Sequence, residues 1–112
     1  MHVGSAIKIR QQNLTMKLKE VFQRRYGKSF GILFGLIRGI LFSGEQNGRV
    51  EYIVEVSNNF FWKKNENSKM SLVLQNKSIP AIMMETEIEI FKRNYFSFYV
   101  NIITTKKISK KL

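Results

Sequence analysis

The sequence contains no cysteine and no aspartate; all eight acidic residues are glutamates, the single histidine is His2 and the single proline is Pro80. Without thiols there is no disulfide scaffold, no cysteine zinc site and no thiol nucleophile. A triad or metal cluster built on His and Asp has almost nothing to draw on. No metal, cofactor or catalytic residue is therefore expected, and the chain does not read as an enzyme. General acid–base chemistry would fall to Glu, Tyr or Lys. Glu85, Glu87 and Glu89 alternate along what reads as a strand, and such a row is expected to be a solvated face opposite lysines. The nuclease arrangement of an acid plus Glu-x-Lys fails at Glu55-Val56-Ser57, where the lysine is missing. Gly31, Gly35 and Gly39 fit neither a phosphate-binding loop nor a dinucleotide fingerprint.

Long hydrophobic runs are also lacking. The most apolar stretch, Phe30 to Phe42, spans 13 residues and includes Arg38, whereas a membrane-spanning helix needs about 20. No convincing small-residue cleavage site follows it. No transmembrane segment and an intracellular location, in the cytoplasm or an organellar matrix, are the expectations.

At 112 residues the chain has room for a single core, so residues 1–112 are expected to form one domain, with 1–12 and 105–112 as mobile basic ends. Lys and Arg number 19 against the eight glutamates, a net charge of +11. The excess is uneven. Lys8, Arg10, Lys17, Lys19, Arg24, Arg25 and Lys28 face only Glu20 within residues 1–30, and residues 92–112 carry Lys92, Arg93, Lys106, Lys107, Lys110 and Lys111 with no acid. Such a field attracts polyanions and says nothing direct about fold.

Leu14, Leu18, Val21 and Phe22 recur at the spacing of one helical face, with Asn13 as N-cap and Gly27 as stop. Arg25 falls within that apolar face, where it either snorkels from the last turn, the favoured reading, or makes a specific contact. The Phe30–Phe42 stretch reads either as a helix with a glycine stripe or as a strand, Leu36 to Phe42, that forms the first arm of a hairpin. Interior glycines each cost about 0.8–1.0 kcal/mol in a helix, which favours the hairpin, looped through Ser43–Gly48 into Arg49–Val56. Val50, Tyr52, Val54 and Val56 alternate with Glu51, Ile53 and Glu55, a half-buried strand pattern. Phe60-Phe61-Trp62 is expected to continue this strand beyond Asn58-Asn59, Met70–Leu74 to form the next, and Pro80 to mark a turn or an edge. Ile82–Phe91 and Tyr95–Thr104 read as two further alternating strands.

The predicted class is α+β: an N-terminal basic helix packed on an antiparallel meander of four to five strands, followed by a basic C-terminal tail. In topology alone this order resembles cystatin-like or NTF2-like folds, where a curled sheet grips a helix; no residue motif accompanies it.

Two clusters set large aromatics beside cations: Phe61, Trp62, Lys63 and Lys64, and Lys92, Arg93 and Tyr95. Cations hold phosphates while aromatic faces stack on unpaired bases, which suits single-stranded or looped RNA. Together with Lys17, Arg24, Arg25 and Lys28 on the helix and Lys106, Lys107, Lys110 and Lys111 in the tail, these residues make up the candidate nucleic-acid site. The expectation is that the cations converge into a continuous positive surface. The function expected is a small non-enzymatic nucleic-acid-binding protein, RNA favoured, acting within a ribonucleoprotein. The second reading is a protein-interaction or structural subunit of a membrane-associated or secretion complex, with an acidic protein partner.

Overall fold

The computed structural model describes residues 1–43 and 48–92. The chain runs β1 (Ala6–Arg10), a 3-10 turn (Gln11–Asn13), α1 (Met16–Tyr26), β2 (Ile32–Ser43), β3 (Arg49–Ser57), β4 (Asn59–Lys64), β5 (Met70–Gln75), β6 (Ile79–Met84), a second 3-10 turn (Glu85–Glu87) and β7 (Glu89–Ile90). Five strands form one antiparallel sheet in the order β6-β3-β2-β1-β7, and β4 and β5 pair separately. The class is α+β, as the sequence predicts.

Residues 32–43 are a strand, and Gly35 explains why. A side chain there would stand 2.8 Å from Val54 Cγ1 and 2.9 Å from the Glu55 carbonyl oxygen, so the glycine permits close approach of β2 to β3. Arg38 is the extra residue where the β2–β3 register shifts between Ile37 and Gly39. Pro80 lies on β6, an edge strand, where a missing N–H costs no ladder bond.

Alternation gives the sheet two distinct faces. Ile7 and Ile9 of β1, Leu33 and Ile37 of β2, Tyr52, Val54 and Val56 of β3 and Met83 of β6 form one buried cluster, closed by Phe22 of α1 and Ile88. Leu14, Leu18 and Tyr26 pack against it, whereas Val21 is exposed. Only the residues Glu85–Ile88 separate β6 from β7, although these strands occupy opposite edges. Such a link reaches at most about 17 Å, less than the roughly 19 Å across a flat sheet of this width. The sheet is therefore curled, and α1 lies within the curl.

Several sequence expectations are corrected. Near the N-terminus, Ala6–Arg10 form β1, an interior strand in which Ile7 and Ile9 are fully buried. Asn13 does not cap α1 but ends a 3-10 turn, and Thr15 holds the N-cap position. Gly27 does end α1, at φ +100°, with its N–H donating to the Gln23 carbonyl. Phe60–Trp62 does not continue β3. The buried Ser57 hydroxyl donates to the Gln75 carbonyl and accepts from the Asn59 N–H, which turns the chain out of the sheet. Ile82–Phe91 is not one strand, because it breaks at Glu85–Glu87. Glu87 is only 4% exposed; its carboxylate accepts the Met84 N–H at 2.9 Å and the Thr15 N–H at 3.3 Å. It thus ties the β6–β7 link to the start of the helix. The expected strand Tyr95–Thr104 and the basic tail lie outside the described residues.

Because two backbone donors converge on this one buried carboxylate, Glu87→Ala is expected to destabilise the fold by about 2–3 kcal/mol. Exposed Glu85→Ala should change stability by less than about 0.5 kcal/mol. Urea denaturation of the two variants checks this, and equal midpoints would contradict it.

Candidate nucleic-acid interface

The outer face of the sheet is also apolar at its centre. Phe34 and Leu36 of β2 alternate with the core residues Leu33 and Ile37, and the β4–β5 hairpin folds over them. The Phe34 and Phe60 ring centroids are 4.3 Å apart, and Phe91 stands 5.4 Å from Phe34, 5.3 Å from Phe60 and 5.5 Å from Trp62. Lys8 Nζ lies 5.6 Å over the Phe91 ring, a cation–π arrangement. Phe60 and Trp62 therefore face inward, half-buried, while Phe61 points outward and is 43% exposed.

The hairpin gathers three lysines at its tip. Lys63 and Lys64 end β4 and Lys69 precedes β5, all exposed. Between them, the Asn65 side-chain oxygen accepts the N–H groups of Asn67 and Lys69, and the Asn65 N–H donates to the Lys69 carbonyl. Glu66 is the one acid of this turn.

A second basic group stands at the C-terminal end of α1. Arg25 makes a specific contact: its exposed guanidinium donates to the Lys77 carbonyl at 3.1 Å, joining the helix to the β5–β6 link. Gln11 and Gln23 both donate to the Lys28 carbonyl, at 3.0 and 3.3 Å, and so fix the loop that carries Lys28. Arg24 pairs with Glu20 at 2.8 Å; at this exposure the pair contributes a few tenths of a kcal/mol. Lys17 stands two turns earlier on the outer side of α1, exposed. Tyr26 donates its hydroxyl to the Val56 carbonyl at 3.0 Å. Burial raises its pKa above the usual 10.0, opposed by a hydrogen bond and the positive charge of Arg25.

The structure thus brings together Arg24, Arg25 and Lys28, and separately Lys63 and Lys64. It adds Lys77 to the first group and Lys69 to the second, neither of which sequence reasoning selected. The two groups stand at opposite ends of the hairpin, about 20 Å apart for six strand residues, so these cations form two separate patches. Trp62 and Lys92 meet instead in a groove beneath the hairpin. Arg93, Tyr95, Lys106, Lys107, Lys110 and Lys111 lie outside the described residues. Phe60 and Phe91, which pack against Trp62, were not selected either, nor was Phe34, which packs against both. The two-residue repeat already sets Phe60 and Trp62 on one face of β4 and Phe61 on the other.

Among the described residues no group of three His, Asp or Glu side chains is placed to hold a metal ion. Among the same residues no helix is long and apolar enough to cross a membrane. No protein-family model matches this chain, and no curated protein or solved structure matches it either.

The raised pKa of Tyr26 carries a pH dependence. The folded state holds this proton more tightly than the unfolded chain, so the associated stability is complete below pH 10 and declines as pH rises through the higher folded value. Denaturation midpoints should therefore fall more steeply above pH 10 for the native protein than for Tyr26→Phe. Parallel curves would contradict the burial assigned to this hydroxyl.

Proposed function

We propose that this chain is a small non-enzymatic nucleic-acid-binding protein with RNA as its favoured ligand, acting as a component of a ribonucleoprotein. The observation that supports this most directly is the pairing of its charges. Among the described residues, carboxylates engage only Arg10, at 2.6 Å from Glu89, and Arg24. Lys63, Lys64 and Lys69 at the hairpin tip, and Arg25, Lys28 and Lys77 at the end of α1, keep their charge directed at solvent. Cations on two separated patches suit a flexible polyanion that passes along the hairpin from one to the other, with exposed Phe61 between them as a stacking face. The basic residues 92–112 add charge of the same sign.

A second reading, a protein-interaction subunit with an acidic partner in a membrane-associated or secretion complex, is favoured by a different feature. Ile40, Leu41 and Phe42 near the end of β2 are exposed, Phe42 at 69%, together with Ile82 of β6, and exposed apolar groups of this kind mark protein contacts when they are contiguous.

Salt separates the two. Binding of a single-stranded RNA oligomer through several cations should lose about 0.7 log units of affinity per phosphate contact for each log unit of salt. The combined variant Arg25→Ala, Lys28→Ala, Lys63→Ala, Lys64→Ala should flatten that slope without altering circular dichroism. Fluorescence anisotropy at two salt concentrations reads both quantities. Absence of binding at low salt, or binding insensitive to salt, contradicts the RNA reading.

A further inference from the structure

Between the β4–β5 hairpin and the outer face of the sheet lies a groove of about 490 Å³, whose lining includes Ala6, Leu36, Trp62, Leu72, Phe91 and Lys92. We propose that this groove takes the base of one unpaired nucleotide, stacked on Trp62 with Phe91 as the adjoining wall, and with its phosphate held by Lys92. The proposal rests on the nucleic-acid reading and assigns it a specific pocket. The volume falls within the roughly 300–1,000 Å³ of small-ligand sites, which combine apolar walls with a few polar anchors. The Trp62 and Phe91 rings, 5.5 Å apart and inclined by 47°, offer π surface, and base–aromatic stacking tolerates any base.

Charge selects the ligand further. No glutamate belongs to the lining, and Glu89, two residues before Phe91, is engaged by Arg10. Lys64 shares a face of β4 with Trp62 through the two-residue repeat and is registered opposite Met70, which also lines the groove. A neutral apolar ligand leaves these ammonium groups without a partner, and an aliphatic carboxylate leaves the ring faces without a stacking partner. A planar base carrying a phosphate uses both.

Trp62 is the only tryptophan in the sequence, so its emission reports on this groove alone. The test uses the full chain and a single-stranded adenosine decamer: anisotropy of a labelled decamer reads binding anywhere, and Trp62 emission with unlabelled decamer reads occupancy of the groove. Both signals should move with one midpoint, and AMP should quench Trp62. Ala6→Leu, which fills the groove, should weaken the decamer about 5- to 140-fold, the range expected for loss of one base stack. Should that variant fail to fold, Lys92→Glu should lower affinity at low salt with unchanged circular dichroism. If anisotropy rises while Trp62 emission stays constant, or Ala6→Leu binds as tightly as the native protein, the groove assignment is overturned and the nucleic-acid reading survives. Absence of any anisotropy change at low salt overturns both. A Trp62 response to sodium decanoate, with none to AMP or the decamer, would assign the groove to a fatty carboxylate and overturn the proposal.

Discussion

The whole arrangement depends on β2 being apolar on both faces. A strand that alternates Leu33 and Ile37 with Phe34 and Leu36 has no side to give to water along that stretch, and each side must be covered by something. The helix covers one face by lowering Phe22 into the curl of the sheet, and the β4–β5 hairpin covers the other by laying Phe60 on Phe34, with Trp62 packed against Phe60 and Phe91. Gly35, in the middle of the same strand, lets β3 approach closely enough for both layers to share one support. Ser57 and Glu87 then act as the two local ties: one turns the hairpin out of the sheet, and the other holds the edge-to-edge link against the start of the helix.

This layering decides where the charge stands. Covering both faces of the central sheet leaves the outer side of α1, the rim at its C-terminal end and the hairpin tip as surfaces on which lysine and arginine remain hydrated. Arg24, Arg25, Lys28 and Lys77 at the rim and Lys63, Lys64 and Lys69 at the tip stand on such margins, and the hairpin spans the distance between them. The aromatic cluster beneath the hairpin has a structural role first. The stacking use proposed for Trp62 depends on the hairpin leaving a groove beside that ring instead of closing completely on β1 and β2.

Parts of this were legible in the sequence because they are local. Gly27 ends the helix since only glycine takes its backbone angle cheaply, and the glycine cost in water selects strand over helix for residues 32–43. The alternation of Val50 to Val56 names the buried face of β3 without reference to any partner. What was not legible depends on residues far apart along the chain. Nothing in Met-Glu-Thr-Glu-Ile-Glu-Ile disfavours an unbroken strand; the break comes from Glu87 meeting the Thr15 N–H, a partner 72 positions away. Alternation separates Phe61 from Phe60 and Trp62, but which side turns inward is decided by Phe34 and Phe91. Arg25 reads as a snorkelling residue from its helical angle, and its bond to the Lys77 carbonyl requires the β5–β6 link to pass the end of the helix. The cations were individually visible; their division into two patches was not, because the hairpin that separates them was expected to extend β3.

The most direct test of the two-sided covering of β2 is a double-mutant cycle on Phe34→Ala and Phe60→Ala, read by urea denaturation. Rings 4.3 Å apart across the layer boundary should show a coupling energy of about 0.5–1.5 kcal/mol. Additive effects of the two substitutions would mean that the hairpin does not rest on the outer face of β2, and the account of both the fold and the groove would fail with it.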